Sequence, residues 1–374
     1  MLLYKISLKK RKDFSMKQIH NTIPLPDDPY VQRYFSDSCA FFDIETTGFS
    51  AKTAFVYLIG MAVRRGDTIH IYQFFAQNQA NEAELINCFY QKLCEFSTII
   101  TFNGKGFDIP FLKAREQVHG YSNNWEQFES WDLYKTTGKL NNILKLQNRK
   151  QKTIERFLGI EREDLYSGGD LIPVYFSYEK NQNADLEELL LLHNYEDVLG
   201  MTKLLALLSY LEFLETPIHI SHICVQEHTK GQALMLVLSS PIPFPKQTLY
   251  QKDFINLKFR QKDVCLYIDI LHHELRFYFE NYKDYYYLPD EDMAIHKSAA
   301  AFVDSSHKKK ATAATCYTKR TGDFLPQADT LFTPCFYPEK KTKNSYFEMQ
   351  KNFITDTDSV TAYAKHLLEI CYSN

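Results

Sequence analysis

Five side chains occupy places where their neighbours are apolar, and their types define a chemistry. Asp43 and Glu45 lie in Ala40-Phe41-Phe42-Asp43-Ile44-Glu45-Thr46-Thr47-Gly48, an apolar run that reads as a strand ending in a glycine turn. Alternation along a strand puts both carboxylates on one face and Phe42 and Ile44 on the other. Asp108 follows Ile99-Ile100-Thr101-Phe102-Asn103-Gly104, a short strand running through a glycine-containing loop into a helix whose first turn it occupies. His193 and Asp197 sit one helical turn apart in a stretch expected to be helical from about residue 185 to 210. There they interrupt a core-facing line through Leu186, Leu189, Leu190, Met201, Leu204 and Leu208. Carboxylates packed side by side repel and lose hydration, which raises at least one pKa unless a cation neutralises them. Oxygen ligation of this kind suits hard divalent ions such as Mg2+ and Mn2+.

The elements that must position these groups are legible in outline. Residues 41–45, 55–64 and 68–75 read as three strands joined by short polar turns, hence an antiparallel meander. A helix over about 81–95, a strand at 98–102, a helix running to about 118 and a strand at 130–133 follow. Strands first and then alternation predict a mixed α/β five-stranded sheet with helices on its faces. Residues 138–178 read as helical pieces, with 152–160 closing on Gly159 and 166–173 a flexible loop.

Three motifs in this order resemble those of DEDD-type 3′→5′ exonucleases of the ribonuclease-H-like superfamily, most of all the bacterial branch described as predicted exonucleases with an RNase H-like domain. Asp43 and Glu45 match the D-x-E motif with its Thr-Thr-Gly turn, Asn103 to Asp108 matches the second motif, and Asp197 matches the last Asp of the third. The resemblance covers roughly residues 36–212. It implies an RNase H-like sheet and hydrolysis of phosphodiesters at a single-stranded 3′ end of DNA or RNA by two divalent ions, Mg2+ or Mn2+. The metal ligands would be Asp43, Glu45, Asp108 and Asp197. Asp43, Glu45 and Asp197 would hold one ion, and Asp43 with Asp108, reached through water, the other. His193 would orient or deprotonate the attacking water. Thr46, Thr47 and Asn103 would contact the substrate, and Phe49 would wedge between the terminal base and the next.

One subclass of the family places Tyr four residues before the final Asp, the other His five before. Here His193 stands four before and Leu192 five before, the spacing of one subclass with the residue of the other. Tyr195 points about 200° around the helix from Asp197 and does not replace either. Two other readings remain open: a catalytically silent nucleic-acid-binding module, and an RNase H-like endonuclease. Asp132 reads as a helix cap or strand-end residue rather than a site residue.

The remaining sequence sets bounds. A formal net charge of −3 leaves nucleic-acid binding to local patches and bound metal. Eight scattered cysteines without C-x-x-C pairs argue for reduced thiols, and no apolar run approaches the roughly 20 residues that span a bilayer, so a cytoplasmic protein is expected. Residues 1–38, with Lys9, Lys10, Arg11 and Lys12, read as a basic extension laid over the catalytic domain of residues 39–214. Residues 215–374 read as a smaller α+β domain of unknown role, with strand-like runs at 264–270, 275–279, 285–288 and 299–303. Within it Lys308, Lys309, Lys310, Lys319 and Arg320 flank Cys316 and Tyr317, either a surface for single strands or a basic loop with core tyrosines.

Overall fold

The computed structural model describes residues 15–228 and 231–372, so the basic run Lys9 to Lys12 lies outside the described residues. The chain divides into two compact units, residues 1–141 with 145–209, and residues 142–144 with 210–374.

In the first unit the elements run β1 (Lys17–Pro24), α1 (Pro29–Tyr34), β2 (Cys39–Thr46), β3 (Val56–Arg65), β4 (Thr68–Phe75), α2 (Glu82–Leu93), β5 (Thr98–Thr101), α3 (Asp108–Val118), β6 (Glu129–Asp132), α4 (Leu133–Lys139), α6 (Gln151–Leu158), α7 (Gly168–Asn181) and α8 (Ala184–Leu204), while α5 (Asn141–Leu144) and α9 (Leu208–Glu215) each straddle the division between the units. The sheet order is β1-β4-β3-β2-β5-β6. β2, β3 and β4 form the antiparallel meander, and β5 and β6 add parallel to β2. All five expected strands are present, and a sixth, β1, pairs antiparallel with β4 at the edge. It comes from the segment read as an extension; its residues are exposed or half-buried and none is fully buried, which is why its sequence carries little strand signal.

Two apolar layers cover the sheet. On one side Phe42, Ile44, Ile59 and Met61 pack with Leu85, Phe89, Phe111 and Leu112 of α2 and α3. On the other, Tyr57, Leu58 and Phe75 pack with Leu171, Tyr175, Tyr178 and Leu190 of α7 and α8. A fully buried side chain such as Phe42 contributes about 1.5–3 kcal/mol, so the alternation of β2 is held firmly, with its carboxylates facing away from α2. The expected loop at 166–173 is instead the start of a helix. Ser167 and Asp170 form a capping box, with the Ser167 hydroxyl donating to Asp170 Oδ2 at 2.6 Å, and α7 runs on through Pro173. α6 ends as read, on Gly159 in the left-handed region at φ 81°.

α8 begins on Asn183, whose side chain accepts from the Asp185 amide at 2.7 Å, and carries Asp185 and Glu187 in its first turn. Its buried line runs through Leu190, His193, Asn194, Val198, Met201 and Leu204. Leu186 and Leu189 are only partly buried, so the face that meets the sheet is rotated from the expected line toward Asn194 and Val198.

The second unit contains a seven-stranded sheet, formed by β7 (His219–His228), β8 (Gly231–Ser239), β9 (Thr248–Lys252), β10 (Ile255–Arg260), β11 (Asp263–Tyr278), β15 (Tyr317–Gln327) and β16 (Ser345–Glu348). A three-stranded sheet of β12 (Tyr285–Leu288), β13 (Met293–His296) and β14 (Lys309–Lys310) and the helices α10 (Lys297–Ala300) and α11 (Thr357–Tyr372) accompany it. The two runs at 264–270 and 275–279 are one strand, β11, whose first half pairs with β8 and β10 and whose second half pairs with β15. The run at 299–303 is not a strand: α10 and a turn occupy it. Cys316 and Tyr317 are buried, and the Tyr317 hydroxyl donates to Asp292, while Lys319 pairs with Asp292 at 2.9 Å and Arg320 with Glu348 at 3.0 Å. Cys316 and Tyr317 are thus core residues, and Lys319 and Arg320 are paired with carboxylates beside them, the arrangement of a basic segment with a core tyrosine rather than of a stacking platform.

Candidate active site

β2 carries Asp43 and Glu45 on the face that meets α8, and α8 carries His193 and Asp197 toward the same place. The close approach depends on Gly60, which lies opposite Asp43 in the β2–β3 ladder: a Cβ there would stand 2.2 Å from Asn194 Oδ1. Asn194 is fully buried, takes a bond from Gln73 Nε2 at 3.1 Å, and donates to Asp43 Oδ2 at 3.4 Å. Gln73 also donates to the Leu191 carbonyl at 2.8 Å, so it ties α8 to β4.

His193 is 2 % exposed, and its Nε2 lies 3.4 Å from Glu45 Oε1 and 3.2 Å from Asp197 Oδ2. Ligand atoms of Glu45, His193 and Asp197 all fall within 4.8 Å of one another, close enough to share a metal ion. Asp108 enters from the first turn of α3; its Oδ1 accepts from the Ile44 amide at 3.2 Å, which bridges the second and first motifs.

The electrostatics follow from crowding. Burial and the neighbouring charges of Asp108, Asp197 and Glu45 push Asp43 well above the usual carboxylate range, with Arg162 opposing. Burial raises Glu45 to about 8 against the pull of His193, and raises Asp108 to about 7 against hydrogen bonds from its own amide and that of Ile44. Asp197 goes the other way. Burial works against it, but His193 and Arg162 outweigh burial and hold it below the ordinary value. For His193 burial is likewise outweighed, by Asp197, Glu45 and Asp164, and its pKa stands at about 9. The set therefore holds protons that a divalent cation would displace.

A supporting layer comes from residues 151–164, none of which the sequence marks as a site residue. Arg162 places Nη1 2.5 Å from Asp197 Oδ1, and its Nε and Nη2 each stand 2.5 Å from an oxygen of Glu155. Gly200 leaves room for this pair, since a Cβ there would lie 2.2 Å from Glu155 Oε1. Gln151 Nε2 donates to the Asp197 carbonyl at 2.8 Å. Asp164 Oδ2 stands 2.6 Å from His193 Nδ1. Burial would raise Asp164, but Lys152, the Tyr166 amide and His193 lower it overall. The only sequence signal for this layer was the density of Arg and Glu after Gly159, which is ordinary for a surface.

The expected substrate residues lie on the two segments next to the carboxylates, 46–49 after Glu45 and Asn103 in the loop before Asp108. The Thr46 hydroxyl donates to the Gly48 carbonyl at 2.8 Å, and Thr47 exchanges bonds with Phe55 through its amide and hydroxyl, both 3.0 Å. Both threonines thus brace the turn that projects Phe49, which is 84 % exposed. Asn103 adopts φ 65° and gives its amide to Asp132 Oδ1 at 2.9 Å. Asp132 ends β6 and caps α4 through the Tyr134 amide at 3.0 Å, the cap role read from the sequence. The start of α7 adjoins the site: a Cβ on Gly168 would be 3.5 Å from Glu45 Oε2. Tyr195 lies away from the carboxylates, beside Gln73, Glu187 and Leu191.

Residues 40–209 match the family model described as the RNase_H superfamily, and together with the mixed sheet and its flanking helices this makes the first unit an RNase H-like domain. RNase H-like nucleases generally use divalent metal ions. A Bacillus subtilis protein named "Uncharacterized protein YprB" is 30 % identical over 206 residues, which is 54 % of this chain and 48 % of that protein. The chain thus spans less than half the length of that relative. Among solved structures, the family B DNA polymerase of Pyrobaculum calidifontis aligns with TM-score 0.37 and 17 % identity over 47 % of this chain and 25 % of the polymerase. E. coli Exonuclease I in complex with a dT13 oligonucleotide aligns with TM-score 0.32 and 12 % identity over 55 % of each chain. Among the described residues no helix is long and apolar enough to cross a membrane.

Proposed function

We propose that this protein is a cytoplasmic metal-dependent 3′→5′ exonuclease that hydrolyses phosphodiester bonds of single-stranded DNA or RNA, with residues 39–214 as the catalytic domain and two divalent ions, Mg2+ or Mn2+, as cofactors. One observation carries the reading: Asp43, Glu45, Asp108 and Asp197, from three separated segments, converge on one partly buried place where repulsion and burial raise three of the four pKa values. Such a set fits hard divalent cations, being rich in oxygen and short of charge balance. Asp43, Glu45 and Asp197 would hold one ion, and Asp43 with Asp108 the other. When bound, the ions supply Lewis-acid activation of water and charge neutralisation at the leaving oxygen.

The chain's own residues do the rest. Arg162 takes Oδ1 of Asp197 and so leaves Oδ2 facing Glu45 and His193. His193 Nε2 faces the same carboxylates, where it can orient the attacking water and, once bound ions neutralise the carboxylates that hold its pKa up, take the water's proton. Phe49, at the mouth and free of packing, can insert beside the terminal base, while the braced Thr46, Thr47 and Asn103 shape the rim. The test is a panel of end-labelled linear and covalently circular single strands, DNA and RNA, with Mg2+ and Mn2+. An exonuclease releases mononucleotides from the 3′ end of linear strands and leaves circles intact. Cutting of circles supports an internal nuclease instead, and no cutting of any strand supports a silent binding module.

A further inference from the structure

Asp164 lies outside all three motifs, yet its carboxylate is buried and fully satisfied. Its side chain has no exposed surface, and three donors converge on it: Lys152 Nζ at 2.7 Å, the Tyr166 amide at 3.0 Å, and His193 Nδ1 at 2.6 Å. The backbone that bears it is pinned by Glu196, the residue beside Asp197 on α8, which accepts from the Glu163 amide at 3.0 Å and the Asp164 amide at 2.8 Å. The support is therefore tied to the same helix that carries His193 and Asp197.

We propose that Asp164 is a positioning residue for the nuclease reaction: it accepts a hydrogen bond from the Nδ1–H of His193 and so fixes the ring with Nε2 turned to the space between Glu45 and Asp197. The inference rests on the nuclease reading above for the reaction, but not for the geometry. A neutral imidazole has one donor and one acceptor nitrogen. With the other tautomer, the Nδ1 lone pair would face a carboxylate oxygen 2.6 Å away, two acceptors in contact. Asp164 removes that tautomer, and by gripping one edge of the ring it also fixes its rotation. A histidine whose second nitrogen meets a buried carboxylate is the arrangement by which bases and metal ligands are oriented elsewhere. Lys152 in turn keeps the Asp164 carboxylate in place and also donates to the Tyr166 carbonyl.

The experiment uses the full chain, labelled with 15N-histidine and saturated with Mg2+ at neutral pH, with the His193 signals assigned by their loss in His193→Asn. Long-range proton–nitrogen correlation is expected to show a protonated Nδ1 in the parent. Asp164→Ala should leave Nδ1 only partly protonated and lower kcat by about 10–100-fold with KM little changed, the usual effect of losing an outer partner. Asp164→Asn, whose Oδ1 still accepts from Nδ1, should restore the tautomer and much of kcat. A parent with Nδ1 unprotonated overturns the proposal, as does an Asp164→Ala protein that keeps the parental Nδ1–H or loses kcat and KM together with stability. A parent that cleaves no nucleic acid defeats the nuclease reading, while the nitrogen spectra still decide the positioning claim.

Discussion

Removing divalent ions should make this domain lose stability as the pH rises, against the usual behaviour of a carboxylate-rich protein. The two groups with the clearest values are Glu45, at about 8 in the fold, and His193, at about 9. A carboxyl with a raised pKa favours the protonated fold. Its penalty is absent below the unfolded value of about 4 and grows until the pH passes its folded value. A histidine with a raised pKa contributes stability that is complete below about 6.5 and is lost as the pH climbs through the folded value. Both therefore act in the same direction between about pH 6.5 and 8, and His193 continues alone to about 9. Asp197, whose pKa is lowered, contributes stability that is lost only in acid, outside this window.

Glu45 and His193 face each other, so their uptake is not independent; counting the pair as about one proton gives a slope of about 1.4 kcal/mol per pH unit and a loss of about 3 kcal/mol from pH 6.5 to 8.5. Both tryptophans, Trp125 and Trp131, belong to the RNase H-like unit, so tryptophan fluorescence during urea unfolding reads this unit alone. In chelator the unfolding midpoint should move down across that range. With saturating Mn2+ the fall should shrink or reverse, because ions take the place of protons. A midpoint in chelator that is flat or rising between pH 6.5 and 8.5 would refute the claim that the carboxylates are crowded against one another.

Other outcomes are equally specific. Phe49→Ala should weaken binding of a single-stranded 3′ end by about 1–3 kcal/mol, the worth of one base–aromatic stack, with metal affinity unchanged; equal binding curves for variant and parent would remove the wedge. His193→Asn should lower the single-turnover rate by about 10²–10⁴-fold with small effects on substrate binding. His193→Tyr, which restores the spacing of one exonuclease subclass, should lose less. A near-parental rate in His193→Asn would leave His193 as a buried helix residue only.

The central carboxylates were legible in the sequence because each breaks an apolar pattern: Asp43 and Glu45 interrupt a strand with Phe42 and Ile44 on its other face, and Asp197 interrupts a helix. Asp164, Arg162 and Glu155 were not, because a charged residue in a polar segment is normally solvated, and only the fold reveals that these three are turned inward. Asn194 was hidden for a related reason. It sits beside the expected apolar line of α8, and the small residue that admits it, Gly60, lies more than a hundred residues earlier in the chain. The first turns of the helix at Gly168–Asn181 read as a loop because paired glycines and a proline dominate them, while the Ser167–Asp170 box that nucleates the helix is a two-residue signal. In the second unit, β12 was found at its observed limits, whereas the run at 299–303 misled because alanine, phenylalanine and valine in so short a segment suit strand and helix alike.

The central claim is that the converging carboxylates carry hydrolysis at a 3′ end, and single-turnover release of the terminal nucleotide from a 3′-labelled single strand in saturating Mn2+ tests it most directly. The parent should release label, while Asp43→Ala and Asp197→Ala should be slower by orders of magnitude, as loss of a metal ligand requires, with tryptophan fluorescence showing both folded. Retention of more than about a tenth of the parental rate by Asp43→Ala would contradict the account.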